Sequence, residues 1–103
     1  MAKFVLAYSG GSMPETEEAG AAVMAAWVAW LGGLGDAIVD PGNPFASSAT
    51  IASDGAVSDG GSTQLTGYSI VTADSLGAAT TLVKDCPALA SGGTVDIYEA
   101  LDM

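Results

Sequence analysis

Two rhythms of apolar and polar positions divide the chain. Residues 3–9, KFVLAYS, read as a strand with both phases apolar: Phe4, Leu6 and Tyr8 on one side, Val5 and Ala7 on the other. A strand of that kind is expected in the middle of a sheet, covered on both faces. The glycines of SGGS break it. Ser12 and Glu15 then stand at capping-box spacing, with Pro14 tolerated in a first turn. Glu15, Glu17 and Glu18 sit where the helix dipole favours negative charge. Beyond them Val23, Met24, Trp27, Trp30, Leu31 and Leu34 recur at three- and four-residue intervals, which predicts an inward-facing helical stripe ending near Gly32 or Gly33.

The period changes again after the helix. Residues 36–45, DAIVDPGNPF, predict a short strand stopped by Pro41, Gly42 and Pro44. Residues 49–58 alternate about Asp54-Gly55, a favoured two-residue turn, and read as a hairpin. Residues 60–66 read as a loop. GYSIVTA, residues 67–73, is a second strand with both faces apolar: Tyr68, Ile70 and Thr72 against Val71 and Ala73. Asp74 or Ser75 caps a second helix that turns Leu76, Ala79, Leu82, Val83 and Cys86 inward until Pro87 stops it. Residues 94–103 alternate as an edge strand does, Val95 and Ile97 on one face and Asp96 and Tyr98 on the other.

The order β-α-β-β-α-β, with an extra hairpin, predicts a ferredoxin-like α+β sandwich, with residues 1–103 as a single domain. Its first and third core strands, 3–9 and 67–73, belong in the middle of an antiparallel sheet. Two helices cover only one side of such a sheet. The other side is expected to meet a second copy, giving a homodimer through the sheet face. A formal charge of −10 on each chain opposes the pairing. Acidic groups at a solvated rim are screened beyond a Debye length of ~8 Å, so the apolar face prevails.

Composition removes several classes of partner. Lys3 and Lys84 are the only basic side chains, against eight Asp and four Glu. Nucleic-acid binding rests on Lys and Arg neutralising phosphates, so nucleic acid is excluded, and anionic membrane surfaces are disfavoured by the same balance. The uncharged stretch 19–35 holds 17 residues, rich in Ala and Gly and without basic flanks, so a heavily buried helix of a soluble protein is expected rather than a membrane span. The chain has no His, which removes the commonest general base and the commonest metal ligand. Its lone Cys86 makes no internal disulfide, and MAKFVLAYSGG opens as a strand rather than an export signal, so a cytoplasmic location is expected.

From VSDGG through GYSIVTADSLGAATTLVKDCPALASGGTVDIYEALDM the sequence resembles the YCII-related (DGPF-domain) family. It shares Asp-Gly at a strand end, Gly-Tyr opening the next strand and Ala-Asp-Ser-Leu heading the helix. Cys-Pro, Gly-Gly and a closing acidic strand ending in Met follow. The front half is similar too, with GGSMPET, an Ala/Trp-rich helix and GDAIVDPGNPF. The resemblance implies a ferredoxin-like protomer assembled as a dimeric α/β barrel. That superfamily spans cofactor-free isomerases and dehalogenases, monooxygenases, haem enzymes and ligand-sensing domains. Asp59 matches the Asp of the family's Asp-Gly motif. The His that some relatives pair with it has no counterpart, since CPHL reads Cys86-Pro87-Ala88-Leu89 here.

Two functions are open on these residues. In the first, a cofactor-free lyase or isomerase acts on a neutral or aromatic small metabolite, with Asp59 as proton shuttle and Tyr8, Trp27 and Tyr68 lining the substrate pocket. In the second, the same dimer is a non-catalytic small-molecule-binding or accessory module. Asp59 then only caps the Gly60-Gly61 turn, and the aromatics are plain core. No cofactor or metal is expected. SGGS before a helix is an anion nest in outline, but three glutamates follow it, and Asp54 and Asp59 lack EF-hand spacing. Cys86 has nothing nearby in sequence to stabilise a thiolate and reads as core.

Overall fold

In the computed structural model, which describes residues 2–11, 14–59 and 65–101, the two doubly apolar segments lie side by side. β1 (Ala2–Gly10) pairs antiparallel with β5 (Leu65–Ala73), setting Phe4 opposite Val71, Leu6 opposite Ser69 and Tyr8 opposite Gly67. β6 (Gly93–Ala100) pairs with the other edge of β1, and β2 (Ile38–Asp40) with the other edge of β5. The sheet order is β2-β5-β1-β6, antiparallel throughout. Between the strands run α1 (Glu17–Leu34), a 3-10 turn (Gly35–Ala37), α2 (Leu76–Val83) and the single turn α3 (Pro87–Ala90). The chain is thus an α+β arrangement of one four-stranded antiparallel sheet with helices.

The core forms where one face of the sheet meets the helices. Phe4, Leu6, Tyr8, Val71 and Ala73 are buried there with Ala79, Val83 and Cys86, and Trp27, Trp30, Leu34, Val95 and Ile97 pack around them. Since successive strand residues point to opposite faces, Val5, Ala7, Tyr68, Ile70 and Thr72 form the other face. Among the described residues, none of these five belongs to the core cluster that the helices share with the sheet.

Several expectations are corrected. Ser12 lies outside the described residues, and the cap of α1 is Thr16, whose Oγ1 accepts the Ala19 N–H at 3.0 Å. Pro14 then precedes the helix, so its missing N–H removes no helical bond. Burial of α1 is much lighter than expected: no residue is fully buried, and Val23 and Met24 are 37% and 64% exposed. One helix on a sheet makes contact along a single stripe, here Trp27, Trp30 and Leu34. By length and composition alone, Glu17–Ala37 would suffice to cross a membrane, at mean hydropathy 1.2. Its tryptophan side is nevertheless part of this chain's core.

The hairpin also differs. β3 (Ala49–Ile51) and β4 (Val57–Asp59) are joined by five residues rather than two. Ala52 N–H donates to the Ala56 carbonyl at 2.8 Å, and Asp54 Oδ1 accepts the Ala56 N–H at 2.9 Å. The Asp side chain therefore closes a wider turn of Asx type, with Gly55 at φ +89° supplying its left-handed residue. These strands form a separate two-stranded sheet, exposed at every residue. In α2 the cap is Ser75, whose Oγ accepts the Ala78 N–H at 3.1 Å, and Leu76 stands 52% exposed rather than inward. Pro87 both bars α2 from continuing and begins α3.

Candidate functional site

The DPGNPF segment is stapled along the edge of β5 by successive bonds. Asp40 Oδ1 accepts the Gly42 N–H at 2.8 Å, closing a small turn at the end of β2. Gly42, at φ +80°, lies so close to the Tyr68 carbonyl that a Cβ would land on it. Further along, the Asn43 carbonyl accepts the Tyr68 N–H at 3.3 Å, and Phe45 N–H donates to the Thr66 carbonyl at 2.8 Å. This places Phe45 beside Tyr68, rings stacked with centroids 5.7 Å apart and planes 16° from parallel. The Tyr68 hydroxyl points to Asp40 Oδ2 at 3.4 Å. A phenol, a stacked phenyl ring and a half-buried carboxylate thus share the face with Val5, Ala7 and Ile70. Such a set can stack a planar ring and accept one hydrogen bond.

Tyr8 lies on the opposite face. Its hydroxyl donates to Ser69 Oγ at 2.8 Å, and Ser69 Oγ donates in turn to the Pro41 carbonyl at 2.6 Å. Both side chains are buried, at 7% and 1% exposure, and the relay satisfies each of them. Burial pushes the Tyr8 phenol up to about 12, against the Ser69 bond that lowers it, with the nearby Cys86 adding to the rise. Buried and bonded to Ser69, this phenol acts as a structural donor within the core. The ring meets Trp27 edge to face at 5.2 Å, and Trp27 meets Trp30 likewise at 5.7 Å. Trp30 Nε1–H donates to the Leu82 carbonyl at 3.2 Å, tying α1 to α2.

The sequence-derived candidates are therefore not brought together. Tyr8 and Trp27 pack in the helix-side core, Tyr68 lies across the sheet from them, and Asp59 ends β4 on the separate hairpin, exposed. Neither tyrosine hydroxyl bonds to Asp59; their partners are Ser69 and Asp40. The Gly60-Gly61 turn that Asp59 was expected to cap lies outside the described residues. An open groove of about 320 Å³ runs between α1 and α2 beside Trp30, Leu34, Leu82 and Asp85, and another of about 150 Å³ lies beside Val83, Leu89 and Val95. Neither is lined by Asp59, Tyr8 or Tyr68.

Sequence reasoning missed Asp40, Phe45 and Ser69. Asp40 was read only as a strand end. The available signal was the run of two prolines and a glycine after it, which interrupts the ladder while the chain runs on along the same edge of β5, Pro44 reaching Gly67. Ser69 had the weaker cue of a lone hydroxyl inside an apolar strand. Burial also raises the Cys86 thiol, opposed by a backbone bond at Ala88, in keeping with its place in the core. Among the described residues, no three or more Cys, Asp or Glu side chains converge as a metal site. No family model matches the chain, and no curated protein or solved structure does either, so what bears on its function is this pairing of a committed core tyrosine with a tyrosine–carboxylate face.

Proposed function

We propose that the chain is a YCII-like, ferredoxin-like protomer that pairs sheet to sheet as a dimeric α/β barrel and serves as a non-catalytic, small-molecule-binding or accessory module. The observation that carries the reading is the disposition of the polar groups. Tyr8 is spent on Ser69 inside the core, Tyr68 is turned to Asp40, and the Asp that resembles the family's acidic residue stands apart on the hairpin. Proton shuttling needs an acid or base within hydrogen-bond reach of the reacting atom and of its partner groups. A binding module needs only an apolar face with a few placed polar groups, which Tyr68, Phe45 and Asp40 supply. The strand order β2-β5-β1-β6 supports the ferredoxin-like protomer, and the face of β1 and β5 that lies outside the helix-side core supports a second copy as its cover. With a charge of −10, the ligand class that fits is a neutral aromatic metabolite rather than an anion.

The test is saturation-transfer NMR with neutral aromatic probes (phenol, indole and benzamide), followed by mass spectrometry of the same samples over a day. Contacts that are seen with the wild type and lost in Tyr68→Ala, with every probe recovered unchanged, are the expected result. Conversion of any probe that stops in Asp59→Asn would replace the binding module by the lyase or isomerase.

A further inference from the structure

β6 (Gly93–Ala100) closes the sheet order, so β1 takes one of its edges and, among the described residues, no strand lies along the other. In an antiparallel ladder every second residue turns both its N–H and its C=O away from a given neighbour. About four residues of β6 therefore hold open main-chain groups. Alternation gives this edge two unlike sides. On the helix side Val95 and Ile97 are half-buried, and the groove of about 150 Å³ lies over them, walled by Val83 of α2 and Leu89 of α3. None of its lining residues comes from β1 or β5, so it sits over the outermost strand, and Leu89 at 41% exposure leaves it open to solvent. On the opposite side Asp96 and Tyr98 are exposed, Tyr98 at 62%.

We infer that this edge receives an extended segment of another protein, one that alternates Lys or Arg with branched apolar residues and joins the sheet as a fifth strand. Main-chain bonds to β6 hold such a segment, and its side chains select it. Every second side chain meets the groove across from Val95 and Ile97, and the others meet Asp96 and Tyr98. The groove side takes the apolar set, because its walls are aliphatic and Lys84, the one base that lines it, repels cations. The open side takes the basic set, which pairs with the Asp96 carboxylate and lies over the Tyr98 ring. Lys3 stands away from this pairing, since it faces Ala100 while Asp96 faces Ala7. Charge decides against a second copy in the same place. Two β6 edges side by side crowd Asp96 and Glu99 of one chain with those of the other, on chains that each carry −10. A basic segment meets the same edge with attraction. The inference is independent of the sheet-face pairing, which uses the face of β1 and β5 rather than this edge.

The test is fluorescence anisotropy on the full chain with a labelled short peptide that alternates Lys and Val. Beside it run the same residues with the alternation scrambled, and two forms N-methylated at every second residue, one in each phase. Hydrogen exchange of residues 93–100 reads where the peptide sits. The alternating peptide is expected to bind at least about tenfold more tightly than the scrambled one, with one N-methylated phase binding and the other not, and with β6 amides gaining protection. Asp96→Lys changes an exposed side chain, circular dichroism checks its fold, and it is expected to weaken the alternating peptide about tenfold. A scrambled peptide that binds as tightly, or binding that leaves the β6 amides unchanged, reduces the effect to the pull of an acidic chain on any polycation and overturns the site. No binding of the alternating peptide overturns it equally. β6 amides protected without peptide, and losing that protection on dilution, assign the edge to a second copy and overturn it too.

Discussion

Replacing Tyr8 by Phe removes one hydroxyl from the buried relay and leaves the ring against Trp27. At neutral pH the loss is one neutral hydrogen bond, since Ser69 Oγ still donates to the Pro41 carbonyl at 2.6 Å, and the variant is expected to be about 1 kcal/mol less stable. Alkali reverses the order. The Tyr8 pKa rises from 10.0 to about 12 on folding. A raised folded-state pKa means that the native state holds its proton more tightly than the unfolded chain. The corresponding stability is fully present below pH 10 and is lost as pH climbs through 12. At 1.36 kcal/mol per pH unit, the wild type gives up about 2 kcal/mol relative to Tyr8→Phe by pH 12, so the two curves cross near pH 11. The other titrating groups are common to both proteins and drop out of the difference, except Cys86, whose charge opposes that of Tyr8 and acts through the raised Tyr8 value itself. Urea unfolding of both, followed by tryptophan fluorescence at one protein concentration from pH 8 to 12, gives that difference directly. A gap that stays constant across the range would refute the buried, Ser69-bonded phenol.

Two further outcomes follow from the packing. Gly42→Ala puts a Cβ on the Tyr68 carbonyl at a residue with φ +80°; with backbone on both sides there is no flexible atom to yield, and a loss of at least about 3 kcal/mol in urea stability is expected. Cys86, 2% exposed and with its thiol pushed up by burial, should react with a thiol reagent at pH 8 only as fast as the chain opens; labelling at the rate of a free thiol in native buffer would contradict its burial.

The linear pattern was enough to place the two central strands. Residues 3–9 and 67–73 are apolar in both phases, and a strand with two apolar faces has few stable positions other than the middle of a sheet. Helix positions were legible for the same reason, because side-chain period is local. Of the caps, Ser75 was one of the two readings for α2, whereas Thr16 of α1 was not singled out, because Ser and Thr at neighbouring positions offer the same oxygen to a first turn.

Tertiary structure decided the rest, because it depends on which residues distant in the chain meet. Tyr8 and Tyr68 look alike in sequence, yet an antiparallel register places them on opposite faces, one facing Ser69 and the other Asp40. Burial of α1 was overestimated because periodicity tells which residues share a side, while the amount covered is set by the width of the layer beneath. Asp59 could be recognised as a strand end and 49–58 as a hairpin; that the hairpin forms a sheet of its own, apart from the four-stranded one, is a matter of pairing across the chain, and no local run of residues encodes it.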